Sequence, residues 1–502
     1  MVTEITDWND LDDVRNDLSE DYKLLNDLDQ NTTGYSNVAS SSANGGSGFE
    51  PIGESSNNAF TGSFDGQEYE IKQLVIDRLG ADQVGLFGWS GSGVSISNTQ
   101  LVDVDVNGDL DVGALIGYCQ GDTITNSHTT GSVSGDESFV TSVGGLVGVN
   151  DSTEITDCHS TCDVSSNGDR AGGLVGEGKS GQIKNSYATG SVDSGSNSAG
   201  GLVGRNDGVK IENSYATGSV SSDSNYAGGL VGRNPNGQII DSYATGSVSS
   251  VDDYAGGLVG LTRDAIDNSH ATGDVSTDDD HAGGLVGESD GLITNSYAEG
   301  IVDAQNYAGG LVGLNNSEVR KSYSIGNVST NYDYSGGLVG YNEAPVKKSY
   351  ATGTVDGGDG SVGGLVGESH DTVVNSYATG DVAGNSSFGT TGGLVGENKS
   401  NEIITSYSVG TVVDNNSSAG GLVGDNDATV TDSYWDTETS GQSSSDGGIG
   451  LTTGEMTGGS ASNNMIGFDF DNAWEITESY PRLFWQEEQG FYTFNGTNWI
   501  SL

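Results

Sequence analysis

Ala199-Gly-Gly-Leu-Val-Gly-Arg-Asn-Asp-Gly-Val-Lys-Ile-Glu-Asn-Ser-Tyr-Ala-Thr-Gly-Ser-Val220 decides the fold, because this stretch returns along the chain with small changes. Its anchor leucine recurs at Leu86, Leu115, Leu146, Leu174, Leu202, Leu230, Leu258, Leu285, Leu311, Leu338, Leu365, Leu394 and Leu422. Successive anchors lie between 26 residues (Leu285 to Leu311) and 31 residues (Leu115 to Leu146) apart. No run of strong helix formers accompanies this period, and β-branched residues bounded by Gly, Asn and Asp favour short strands. The expectation is an all-β chain: a parallel β-helix of about 13 coils, one per anchor leucine, because a single repeat cannot bury its own apolar face. A small N-terminal α/β cap and a β-rich C-terminal cap are expected to close it.

Strand alternation places Ile211, Asn213 and Tyr215 inside the coil and Glu212 and Ser214 outside. Stacking coils about 4.8 Å apart then makes an aromatic ladder of Tyr187, Tyr215 and Tyr243 and an amide ladder that includes Asn185 and Asn213. The Thr-Gly after the tyrosine marks a bend. Paired glycines such as Gly228-Gly229 suit a tight corner or a close approach of backbones, where a side chain would not fit.

Composition bounds the function. Asp and Glu number 71 against 17 Lys and Arg, for a formal charge of -54, and Gly reaches 82 while Pro is 4. The acids are spread through nearly every repeat, which fits a surface adapted to a hypersaline medium. At molar salt the screening length is only about 3 Å, and self-repulsion fades. Phosphate binding needs Lys and Arg, so no nucleic-acid partner is expected. Three cysteines cannot make a disulfide framework. No apolar stretch of about 18 residues occurs, so no membrane insertion is expected. Met1-Val-Thr-Glu-Ile-Thr-Asp carries no basic segment followed by an apolar one, and no leader is expected from it.

Gly-Gly-Leu-Val-Gly followed by Asn-Ser-Tyr-Ala-Thr-Gly resembles the GLUG-motif repeat of large surface and secreted proteins of bacteria and archaea. The resemblance runs from about Ala81 to Trp435. It implies a β-helical scaffold or adhesive stalk and says little about activity.

Four regions are expected: 1-80, an N-terminal cap and first irregular coil; 81-436, the repeat solenoid; 437-486, a C-terminal extension; and 487-502, a terminal aromatic hairpin. In the first, Trp8, Leu11, Val14 and Leu18 follow a helical spacing after a Thr6 cap, and Asp65-Gly66 suggests a hairpin. The segment after Trp435 also resembles the usual C-terminal end of GLUG-repeat proteins. In the last region, Asn495-Gly496 would turn two aromatic strands, a short signature similar to the ends of virion tail and fibre proteins.

Several motifs carry the residue types of chemistry, and each is read as a product of the repeat. Gly173-Leu-Val-Gly-Glu-Gly-Lys179-Ser180 matches a phosphate-binding loop but belongs to an anchor with no following helix. Gly287-Glu-Ser289-Asp-Gly291 fits the spacing of a nucleophile turn without its strand-to-helix setting. Cys158-His159-Ser-Thr-Cys162, with His128 one coil earlier, has metal-ligand types, yet Cys158 aligns with an outward Ser127 and His159 with the inward tyrosines. A disulfide to Cys119 is the other reading weighed. Acidic turns at Asp252-Asp253 and Asp278-Asp279-Asp280 offer calcium ligands or an acid-base pair and are read as solvated turns. Arg205 and Arg233 would stack as a positive patch beside Glu177. Sequons at Asn31, Asn327 and Asn398 permit glycosylation outside the cell.

No catalytic residue, metal ligand or cofactor is therefore assigned. The expected function is a non-enzymatic structural or adhesive rod: a virion fibre or spike component, or a cell-surface adhesin of a halophilic archaeon. Its expected partners are a cell-envelope glycan or surface protein and other virion or surface-assembly subunits, with a homotrimer as one arrangement. A chain without a leader reaches the outside most simply within a virus particle. A polysaccharide-active β-helix lyase or hydrolase is the alternative.

Overall fold

In the computed structural model, which describes residues 2-136, 141-385, 389-414, 419-488, 493-494 and 499-500, each repeat forms one coil of an all-β parallel solenoid of about 13 coils. The coils belong to two compact units, Met1–Asp274 and Val275–Leu502.

One coil of the first unit shows how the repeat becomes structure. Its strands are Val203–Asn206, Val209–Glu212, Tyr215–Ala216, Val220–Ser222 and Ala227–Gly228. They pair in parallel with the next coil, Val203 against Val231, Ile211 against Ile239, Tyr215 against Tyr243, Val220 against Val248 and Ala227 against Ala255. Leu202, Val203, Ile211, Ala216 and Val220 fill the interior at 2% exposure or less. The second unit repeats the arrangement, with Val312, Val339 and Val366 in one row and Tyr323, Tyr350 and Tyr377 in another. Burial of identical apolar rows drives stacking, and parallel ladders satisfy the backbone between coils.

The alternation differs from the expected one from Asn213 to Tyr215, and a single backbone corner is the cause. Asn213 is exposed and Ser214 buried, because Asn213 sits at φ 50°, in the left-handed region. That corner shifts the in-out phase by one, so Ser214 and Ala216 face inward and Tyr215 faces outward. The corner recurs at Asn185, Asp241 and Asn268 in the first unit and at Asn295, Lys321, Lys348, Asn375, Thr405 and Asp432 in the second. Asn and Asp tolerate this region, whereas other residues lose about 1 kcal/mol or more there. Asn185 and Asn213 therefore leave the core. The buried amides are the anchor asparagines: Asn206 donates to the Val209 carbonyl at 2.8 Å and accepts its N–H at 2.7 Å, and Asn315 donates to Asn342 at 2.8 Å.

Buried serines complete the interior. Ser186 N–H donates to the Ser214 hydroxyl at 3.2 Å, and Ser214 N–H to Ser242 at 3.2 Å, while the Ser214 hydroxyl donates to the Glu212 carbonyl at 2.9 Å. The Ser214 hydroxyl thus has both a donor and an acceptor.

The glycine pair acts as expected. A Cβ on Gly229 would stand 2.1 Å from the Gly257 carbonyl oxygen, and one on Gly228 1.9 Å from that of Val231. At Gly229 the backbones of adjacent coils approach too closely for any side chain, and at Gly228 the chain's own turn leaves no room for one.

At the N-terminus the helix spans Trp8–Asp13, and Trp8, Leu11 and Val14 are buried. Its cap is Asp7 rather than Thr6: Asp7 accepts the N–H groups of Asn9 and Asp10 at 2.8 and 3.0 Å, and Thr6 instead donates its hydroxyl to Asp10 at 2.6 Å. No hairpin forms at Asp65-Gly66. Ser63–Asp65 pairs in parallel with Ser95–Ser97, and Glu70–Lys72 joins a different sheet beside Gln100, Leu101 and Val102. At the other end Thr493–Phe494 pairs antiparallel with Trp499–Ile500; the expected turn at Asn495-Gly496 lies outside the described residues.

Candidate functional site

Placing the tyrosine outside turns the repeat into a surface. In the first unit His128, His159, Tyr187, Tyr215, Tyr243 and His270 form one half-buried column, with ring centroids 4.6 to 5.0 Å apart and planes within 10°. Stacking uses the ring faces, so the column presents ring edges. Burial in the stack lowers the pKa of His128, and burial together with the His128 charge takes His159 to about 4. Both imidazoles are neutral at neutral pH.

The second unit carries the same column at Tyr297, Tyr323, Tyr350, Tyr377 and Tyr407, with spacings of 4.8 to 5.0 Å. Here the C-terminal segment covers it. Trp485 lies across Tyr323 and Tyr350 at 6.4 and 5.9 Å, and Trp474 across Tyr377 and Tyr407 at 6.1 and 5.6 Å. The Tyr407 hydroxyl donates to the Pro481 carbonyl at 2.5 Å and that of Tyr434 to Ile466 at 2.8 Å. Met456, Met465 and Phe468 complete this apolar cover. Burial drives the phenols of Tyr377 and Tyr407 well above their usual range, so they stay protonated.

A second column of the same unit concentrates acids. Tyr341, Glu368, Glu397 and Asp425 stand in register on successive coils. Glu368 and Glu397 share a hydrogen bond, and burial raises the Glu368 pKa. Burial also opposes ionisation of Glu397, but its bonds to Lys399 and Ser361 prevail and lower its pKa. His370 Nε2 lies 2.6 Å from Glu368 and 3.2 Å from the Tyr341 hydroxyl. A hydrogen bond between two carboxyls needs a proton on one of them, and the buried Glu368, with its raised pKa, is the one that favours holding it. Paired carboxylates that cleave glycosides stand about 5 to 9.5 Å apart instead, leaving room for the sugar or a water.

Comparison with known proteins finds the same repeat motif. The family model described as the GLUG motif matches residues 140–165, 195–221 and 223–249. The chain carries GLUG-motif repeats. Halomucin of Haloquadratum walsbyi is 39% identical over 137 residues, 27% of this chain and 1% of Halomucin. A protein of Evansella cellulosilytica, named as a Gly-rich membrane protein, is 38% identical over 112 residues, 21% of this chain and 12% of that one. The chain thus spans a small part of each relative. A solved structure named as an immunoglobulin A1 protease from Bacteroides ovatus resembles 60% of this chain and 76% of its own at 18% identity, with a TM-score of 0.36. No helix among the described residues is long and apolar enough to cross a membrane.

Within the coils the motif matches become ordinary positions. The segment Val175–Lys184 is a strand; Lys179 donates to the Tyr118 hydroxyl at 3.2 Å and Ser180 bonds Ser152. Ser289 is buried and donates to the Gly291 carbonyl at 2.9 Å. Cys119, Cys158 and Cys162 are free, buried thiols. Their geometry reverses the expected directions: Cys158 and Ser127 face inward and the His159 column outward, for the corner reason given above. Asp252 accepts from the Ser224 hydroxyl at 3.0 Å, and Asp280 from Asn306 at 2.5 Å. Arg205 and Arg233 are in register, with Arg205 held by Asp207 at 2.9 Å and Arg233 lying 5.1 Å over the Tyr226 ring. Glu177 pairs instead with Arg170 at 2.9 Å. Of the sequons, Asn31 and Asn327 are exposed, whereas Asn398 is buried and bonded to Asn426, out of reach of a transferase.

Proposed function

We propose that the chain is a non-enzymatic surface module of a halophile, a scaffold that displays repeated coil faces toward a neighbouring envelope. The likeness to Halomucin carries this reading, because it joins the same repeat to a protein of a salt-loving archaeon. The charge of -54 supports it: molar salt removes the self-repulsion that would otherwise oppose stacking of acidic coils. Interior positions are given over to packing and backbone satisfaction, which suits a scaffold. The Halomucin likeness favours a cell surface over a virion tail as its place. Its partner is a glycan or protein of the facing envelope.

Protease treatment of intact source cells, followed by mass spectrometry of the released peptides, tests the location. Repeat peptides should appear before lysis; their recovery only from lysed cells would reject the reading. Sedimentation of the purified chain with isolated envelopes tests adhesion, and a chain left entirely in the supernatant would reject it.

A further inference from the structure

Cations are scarce in this chain, yet four of its seventeen stand together. Arg320, Lys321, Lys347 and Lys348 line a cleft of about 430 Å³ with Thr294 and Asn295. The four come from two successive coils, with Arg320 and Lys347 in direct register. Lys321 and Lys348 occupy the left-handed corner, at φ 51° and 50°, where Asn295 and Asn375 stand on the flanking coils. Lysine is a poor choice for that backbone. A residue that breaks a local rule without a packing gain points to function.

Ion pairing accounts for only part of these charges. Glu318 holds Lys347 at 2.7 Å and Arg320 at 3.8 Å. Lys348 lies within electrostatic reach of the exposed Asp469, and no ion pair to Lys321 appears among the described residues. One carboxylate bonded among four cations leaves the cleft positive within a strongly negative surface. The Trp485 indole N–H donates to the Lys348 carbonyl at 2.9 Å, so the C-terminal segment fixes one edge of it.

We infer that this cleft binds a polysaccharide bearing carboxylate groups, through Lys321, Lys348 and Arg320. Charge complementarity sets the sign of the ligand, and the surrounding acids set its class. Nucleic acids and acidic peptides carry a negative charge on nearly every residue, so their further charges would lie against the acids that flank the cleft, within even the short screening length of molar salt. A glycan with charged sugars separated by neutral ones can seat a carboxylate on the lysines. Its hydroxyls then donate hydrogen bonds to neighbouring Asp and Glu. This gives the adhesive reading its partner and rests on that reading.

The test measures binding of the full chain to hyaluronan, whose carboxylates alternate with neutral sugars, at the lowest salt at which circular dichroism shows the coils folded, with dextran and polyglutamate as companion ligands. The double variant Lys321→Asn/Lys348→Asn restores the residue found at this corner on the flanking coils, so it should melt no earlier than the parent. It should weaken hyaluronan binding at least tenfold and leave dextran unchanged. Lys184→Asn/Lys210→Asn, which removes two lysines paired with Glu212, should keep hyaluronan affinity. Absence of parent binding, equal binding by both double variants, or polyglutamate binding as tight as hyaluronan overturns the assignment. Envelope binding that survives Lys321→Asn/Lys348→Asn undiminished also overturns it, and leaves adhesion itself standing.

Discussion

Tyr377 and Tyr407 stack 5.0 Å apart with 2° between their planes, and the Trp474 indole lies across the edges of both. The same indole donates to the Asn375 side chain at 3.1 Å. It thereby ties the left-handed corner of one coil to the aromatic cover. Trp474→Ala should cost about 3–5 kcal/mol of packing and free the segment around it. Limited chymotrypsin digestion should then cut near Phe468 and Tyr480 before it cuts the coils; an unchanged digestion pattern would contradict this.

Coil contact is strictest at the glycine pair. Gly229→Val should abolish cooperative folding of the first unit, since even a Cβ meets the Gly257 oxygen at 2.1 Å and the Ala244 Cβ at 2.9 Å. Gly454 provides the contrast, lying in a short helix with nothing within 4 Å of a Cβ. Gly454→Ala should be neutral or stabilise by up to about 1 kcal/mol. Urea melts of the two variants separate close approach from glycine content as such.

Acid stability has an identifiable source in the first unit. Burial raises the pKa of Asp122 from 3.8 to about 7 and that of Asp111 from 3.8 to about 6. Between the unfolded and folded values the folded chain holds protons that the unfolded chain has lost. Their contribution is therefore fully present below about pH 4 and is lost as pH rises through 6 to 7. A tenfold difference in proton affinity between the two states is worth about 1.4 kcal/mol. The parent should lose stability relative to Asp122→Asn between pH 5 and pH 8, measured by denaturant melts; a constant difference across that range would refute the assignment.

Burial also silences the thiols. It pushes Cys119 and Cys158 up to about 12 and raises Cys162 as well, so no thiolate is available near neutrality. Ellman's reagent should find no reactive thiol in the native chain and three in denaturant. A fast-reacting thiol in the native protein would show that a coil opens readily.

The repeat made the coil, its parallel register and its apolar rows readable, because Leu202, Ile211 and Val220 recur at matching positions and tolerate one geometry. The facing of Tyr215 was not readable from alternation. A single left-handed residue at Asn213 inverts the phase, and asparagine is also a common strand-end residue, so its backbone angle leaves no separate mark in the pattern. The cover supplied by Trp474 and Trp485 was equally hidden, since that segment does not repeat and its contacts lie about 100 residues away, as in the Trp474 to Asn375 bond. The lysines at 321 and 348 did leave a mark: they stand where most sister repeats have Asn or Asp. Reading the columns vertically, rather than searching each repeat for motifs, would have found them.

The aromatic cover also bears on how such a chain can change length. A coil inserted or deleted among residues 187 to 243 exchanges one stacked ring for another and leaves every ladder in register. The same event between Tyr323 and Tyr434 would carry each tyrosine past its indole or carbonyl partner by a whole step. The last coils of the second unit thus act as a fixed gauge, while the earlier array is free to lengthen or shorten by recombination between its near-identical repeats.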